Sequence, residues 1–230
     1  MSLSPSLIRR LSDSEDSGSL GNRLRSRRFR QFEARMELLP KPVRLLDVGG
    51  DNSFWEQRGW AGKDGVQIVT LNIAAEPKRH ANIEPMVGDA TDLSQFSDAS
   101  FDVVFSNSVI EHLFTFDNQR RMASEVARVG KALWVQTPNY WFPIEPHFQV
   151  PGWQWMPVGM RVSMLRRWRC GWRGPCPDRE RAQQLVSEIR LLRQRELQAM
   201  FPRAVLVPER FCGLIKSWTA VQGFPPALSV

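Results

Sequence analysis

Between residues 43 and 139 the apolar positions fall into short, nearly unbroken runs separated by polar stretches. VRLLDV (43–48), GVQIVTLNI (65–73), EPMVGDA (84–90), FDVVFSN (101–107) and KALWVQTPN (131–139) each read as a strand bounded by turn residues. Runs of this kind suit strands covered on both faces. Other segments carry a helical period. Leu24, Phe29, Phe32, Met36 and Leu39 share one face of a helix that Pro40 and Pro42 end. SFWEQRGW (53–60) reads as a short helix, and Ser53 with Glu56 has the S-x-x-E spacing that places its start near Ser53. In DNQRRMASEVARVG (117–130), Met122, Val126 and Val129 lie at helical spacing and Gly130 stands as C-cap. Strand–helix alternation predicts an α/β fold: a Rossmann-like, doubly wound, mostly parallel sheet.

Past residue 139 the rhythm breaks. Residues 140–177 are dense in Trp, Pro and Arg and show no sustained period. A helix is expected from about Asp178, with Ala182, Leu185, Val186, Ile189 and Leu192 on one face, continuing through RQRELQAMF (193–201). RAVLVPERF (203–211) and GLIKSWTAVQG (213–223) close the chain as two strands. Residues 1–20 are polar, with Ser, Asp and Arg and few large apolar residues, and are expected to form a flexible tail. Residues 21–230 are then a single domain, with 140–177 as an aromatic and basic insertion covering the substrate.

The 230 residues are 42% hydrophobic, with nine Trp and thirteen Phe, enough for one sizeable core. No apolar run approaches the roughly 18 residues needed to span a bilayer. The first residues lack the continuous apolar stretch of a secretory signal, so the expected location is cytoplasmic. Cys170, Cys176 and Cys212 have no CxxC spacing, and no metal-ligand set is expected. The net charge is +7, and residues 161–195 account for it with ten Arg against Asp178, Glu180 and Glu188. A patch of that sign suits an anionic partner, although a solvated Arg-rich face would look the same.

The turn after the first strand, LLDVGGDNSFW, narrows the chemistry. A helix starting just beyond it offers free N–H groups and a favourable dipole to an anion. Asp47 would repel a pyrophosphate but would welcome an ammonium. A ligand bearing both a carboxylate and an ammonium is an amino acid, which points to S-adenosylmethionine rather than NAD. With that turn in place, LLDVGG resembles the first motif of class I S-adenosylmethionine-dependent methyltransferases of the small-molecule, type 11-like group. The later segments follow that family in order over roughly residues 40–139 and 180–222. The resemblance implies the family's C-terminal antiparallel strand pair and a cofactor bed of Asp47, Gly49, Gly50, Asn72, Asp89, Ala90, Ser106 and Asn107. Asn72 stands where the family carries an acidic residue for the ribose hydroxyls. Asp89 and the Ala90 N–H would meet the adenine.

Methyl transfer from a sulfonium needs orientation above all, and an oxygen acceptor also needs somewhere to send its proton. His112 and His147 both follow strands at the carboxyl end of the sheet, where open α/β sheets place their sites. Either is a candidate base. Their alternative reading is structural, with Glu111 and His112 capping a loop and His147 satisfied within a Pro-stiffened one. His80 is expected on the surface. The expected function is methyl transfer to a small or medium acceptor, through oxygen of a glycan or of a lipid- or nucleotide-linked precursor. An anionic acceptor and a peripheral membrane contact through 153–173 fit the basic, Trp-rich insertion. RNA methylation and a non-catalytic scaffold on a degenerate fold are the rival readings. No nucleic-acid-binding module stands out.

Overall fold

The computed structural model describes residues 20–226. Seven strands form one sheet in the order β3-β2-β1-β4-β5-β7-β6. They are β1 (Val43–Val48), β2 (Val66–Asn72), β3 (Ile83–Val87), β4 (Phe101–Asn107), β5 (Gly130–Pro138), β6 (Val205–Phe211) and β7 (Leu214–Gln222). The first five are parallel, while β7 runs antiparallel between β5 and β6. All but residue 20 of the expected tail lies outside the described residues. No helix among the described residues is long and apolar enough to cross a membrane.

The unbroken apolar runs are explained by burial on both faces. In β1, Leu46 and Val48 join one core and Val43 and Leu45 the other; in β4, Val104 faces the first and Val103 and Phe105 the second. The first core is closed by helix α3 (Phe116–Val129) through Met122, Ala123, Val126 and Val129. The second lies under α1 (Leu20–Met36) and the short α2 (Asn52–Gln57), and is built from aromatic rings. Phe32 meets Phe105 at 4.8 Å and Trp134 at 5.6 Å between ring centroids. Arg28 of α1 donates to Glu209 of β6 and to Asn107 at the end of β4. Through it the first helix is tied to the carboxyl end of the sheet.

Several elements depart from the expected pattern. Helix α2 starts one turn-position earlier than Ser53, because Asp51 is the N-cap: its Oδ1 accepts from Phe54 N at 2.8 Å and from Ser53 Oγ at 2.7 Å. Glu56 is drawn instead to Arg79 and His80. Gly130 ends α3 in an extended rather than left-handed conformation and opens β5 directly. The insertion is not irregular throughout, for Val158–Arg167 forms a helix, α4. The helix expected over 178–201 is two: α5 (Arg179–Ser187), capped by Asp178, and α6 (Gln194–Met200). They are parted where Leu192 pairs with Asn139 and accepts from Tyr140 N at 3.1 Å. A third small core, from Phe148, Trp153, Leu165 and Val186, holds the insertion together.

Candidate active site

The turn after β1 is built around groups that cannot carry a side chain. Gly49 has φ of 81°, and a Cβ there would lie 2.4 Å from Val109 Cγ2. A Cβ on Gly50 would lie 1.7 Å from Asp47 Oδ2. Asp47 therefore folds beneath the turn, buried, where the Trp55 indole donates to Oδ2 at 2.8 Å. Burial pushes its carboxyl up to about 8. Asn72, at the end of β2, donates its amide to the Gly50 carbonyl at 3.3 Å. Asp89 is exposed beyond β3, its Oδ1 accepting from the N–H and hydroxyl of Thr91, with Ala90 beside it. Ser106 is buried and donates to the Val48 carbonyl, and Asn107 accepts from Arg28. Ser108, at φ of 58°, turns the chain out of β4 and carries Val109 over Gly49.

The residues expected to line a cofactor bed thus converge on the carboxyl ends of β1, β2, β3 and β4. The first turn of α2 differs from the expectation that it stands open to an anion. Asp51 takes Phe54 N, and Glu76 takes both the N–H and the amide of Asn52 at 3.0 and 2.8 Å. Two of the chain's own carboxylates occupy that helix N-terminus.

The two candidate histidines meet. His112 lies in a single 3-10 turn (Ile110–His112) after β4, and His147 in the loop after β5. Their Nε2 atoms are 3.0 Å apart with the rings perpendicular. His147 Nδ1 contacts Glu145, whose other oxygen accepts from the N–H groups of His147 and Phe148. His112 Nδ1 lies 3.9 Å from Glu188, which pairs with Arg173. Glu111, fully buried, accepts from Thr137 of β5 through one oxygen while the other has no partner. Burial lifts the Glu111 carboxyl to about 7, and burial together with the neighbouring His147 lowers His112 to about 4. Burial works against the charge on His147 too, but Glu145 outweighs it and the net shift is upward. The structural role expected for Glu111, a loop cap, is replaced by a buried contact to β5. His80 is half-buried and paired with Glu56, away from this cluster.

Beside the cluster lies a cavity of about 250 Å³, lined among others by Tyr140, Glu145, Trp153, Arg161, Arg190 and Arg193. Glu145 is common to both, and Arg190 N donates to the Glu111 carbonyl at 2.8 Å. Periodicity singled out none of these arginines, since they come from α4 and from the break between α5 and α6.

Residues 47–132, from Asp47 through β5's start, match the family described as Methyltransferase domain, Methyltransf_11. Over that span the chain is similar to class I S-adenosylmethionine-dependent methyltransferase domains, which implies S-adenosylmethionine as the cofactor there. The matched span contains every residue of the expected cofactor bed, and the glycines at 49 and 50 let Val109 and Asp47 pack directly against the turn. The chain is 44% identical over 138 residues to the uncharacterized protein Rv1509 of Mycobacterium tuberculosis, covering 49% of this chain and 42% of that protein. The chain thus spans about two fifths of the length of that curated relative. Among solved structures, YcgJ of Bacillus subtilis superimposes with a TM-score of 0.50 at 16% identity, over 83% of this chain and 93% of its own. A methyltransferase from Aquifex aeolicus aligns over 96% of this chain and 99% of its own, with 14% identity and a TM-score of 0.48.

Proposed function

We propose that the protein transfers a methyl group from S-adenosylmethionine to an oxygen of a small, anionic acceptor, a glycan or a lipid- or nucleotide-linked precursor. The observation that carries this reading is the joining of the His112–His147 cluster to a cavity walled by Arg161, Arg190 and Arg193. The cofactor supplies a methyl on a sulfonium, whose S–C bond breaks as the C–O bond to the acceptor forms. The chain's residues supply position and charge. The three guanidinium groups suit phosphate or carboxylate on the acceptor. In this reading the acceptor's hydroxyl faces the histidine pair, which receives its proton. Exposed Trp141, Trp155, Trp168 and Trp172 lie on the same insertion as exposed Arg166, Arg167 and Arg169. That mixture of rings and cations supports a lipid-linked acceptor met at an anionic membrane surface.

The test uses S-adenosylmethionine labelled in its methyl group, with nucleotide-linked sugars in solution and lipid-linked glycans in anionic vesicles as acceptors. Transfer to at least one acceptor is expected. His147→Asn or His112→Asn should lower kcat by about 10²- to 10⁴-fold, the usual cost of losing a proton acceptor, with cofactor affinity unchanged. Full rates in both variants would remove the histidines from the reaction.

A further inference from the structure

His147 turns Nδ1 to Glu145, which makes Nδ1 the natural seat of its proton and leaves its Nε2 lone pair facing His112 Nε2 at 3.0 Å. His112 Nδ1 lies 3.9 Å from Glu188, beyond hydrogen-bond reach, so its Nε2 is open to a proton or to a shared ion. Glu111, fully buried and with one oxygen unpartnered, belongs to the same place: Glu111, His112 and His147 each offer a ligand atom within 4.8 Å of the others. Glu111 and Glu145 are 0% and 1% exposed, and among the described residues neither has an arginine or lysine in ion-pair contact. Glu145 is met by His147 and two backbone N–H groups, which leaves Glu111 as the buried carboxylate whose charge a bound cation would balance. We propose that Glu111, His112 and His147 bind a divalent transition-metal ion, with open positions towards the cavity beside them.

Nitrogen and carboxylate donors in this combination select ions such as zinc, manganese or iron(II) over calcium or magnesium. With metal–nitrogen bonds of about 2.1 Å, neighbouring ligands lie ~3.0 to 3.4 Å apart, as the Nε2 atoms already do. Glu145 is the outer partner that orients His147, its second oxygen pinned by two backbone N–H groups. The role of the ion in catalysis rests on the methyl-transfer reading above and replaces direct proton transfer to the histidines: with Nε2 of both held as ligands, an acceptor hydroxyl on an open position would lose its proton more readily to solvent.

The experiment titrates the chelator-treated full-length protein with cobalt(II) chloride alone, and separately with zinc chloride. It reads the visible bands of cobalt, the stoichiometry and the rise in Tm. Cys212→Ser serves as background, since this thiol is exposed. One equivalent should bind. His112→Ala and His147→Ala should each weaken binding by about 100-fold or more, and Glu145→Gln by roughly 10- to 100-fold. Cofactor binding should stay unchanged in each, which also shows that the variant is folded. If His147→Ala unfolds, the more exposed His112 carries the test. Absence of a saturable ion, or equal affinity in wild type and the His112 variant, would overturn the proposal and leave the pair sharing a proton. One bound ion without methyl transfer to any acceptor would support the site while refuting the proposed reaction. Transfer that persists undiminished in a protein shown to hold no ion would refute the metal alone.

Discussion

Asp47 shows how far one residue's role depends on what surrounds it. Its place after β1 was legible, but a sequence cannot say that the side chain curls beneath Gly50 and takes the Trp55 indole. The acid is thereby a brace for the turn as well as a neighbour of the expected methionine end. With its pKa raised to about 8, the folded protein holds the Asp47 proton more tightly than the unfolded chain does. The stabilisation by that proton is complete below the ordinary carboxylate range and is lost as pH rises through about 8. Asp47→Asn keeps an acceptor for Trp55 and removes the titration. Melting curves should therefore show the variant gaining on the wild type between pH 5 and 9, by at least ~4 °C, the equivalent of about 1 kcal/mol or more in a domain of this size. Parallel curves across that range would mean that the carboxylate is solvated or otherwise paired. The histidines are the complementary case: each was identifiable by its place after a strand. Their contact, across 35 residues and two loops, was not.

At the level of elements, strands were easier to read than the pieces between them. Continuous apolar runs such as Val103 to Phe105 have a single economical explanation, burial on both faces, and β1, β2, β4 and β5 follow from it. Short helices leave less trace. Ser53 and Glu56 have the spacing of a capping pair, yet Asp51 sits two residues earlier and wins because its carboxylate reaches Phe54 N. Helix α4 left no clear period because only Val162 and Leu165 of its apolar residues are buried, while Val158 and Met160 are exposed. The break between α5 and α6 is set by a tertiary contact, Leu192 against Asn139, for which no local signal exists. The start of α2 also carries a consequence for ligand affinity. Asp51 and Glu76 hold N–H groups that an anion would otherwise take, and their charge opposes the cofactor's carboxylate. Asp51→Gly should tighten S-adenosylmethionine binding about 10-fold in calorimetry, or about 1.4 kcal/mol. Glycine at an N-cap costs only a few tenths of a kcal/mol, so the fold should persist. Equal or weaker binding would show that the cofactor's carboxylate does not use this helix end.

Across the whole molecule, a shared sheet edge gathers two kinds of site. The ends of β1 to β4 carry the residues expected around S-adenosylmethionine, and the loops after β4 and β5 carry the histidine cluster and the arginine-walled cavity. The local excess of positive charge had suggested an anionic partner, but it could not separate arginines facing a cavity from those facing solvent. Arg161, Arg190 and Arg193 line the cavity, whereas Arg166, Arg167 and Arg169 are exposed. The helix α1, anchored by Arg28 to Glu209 and Asn107, closes the same edge from the other side. All of this stands on one claim, that the edge binds the methyl donor. Isothermal titration of the protein with S-adenosylmethionine, and with NAD as a control, tests it directly. The account predicts saturable binding of one S-adenosylmethionine per chain, none of NAD, and a clear loss of affinity in Asp47→Ala. Absence of S-adenosylmethionine binding by the folded protein would contradict it.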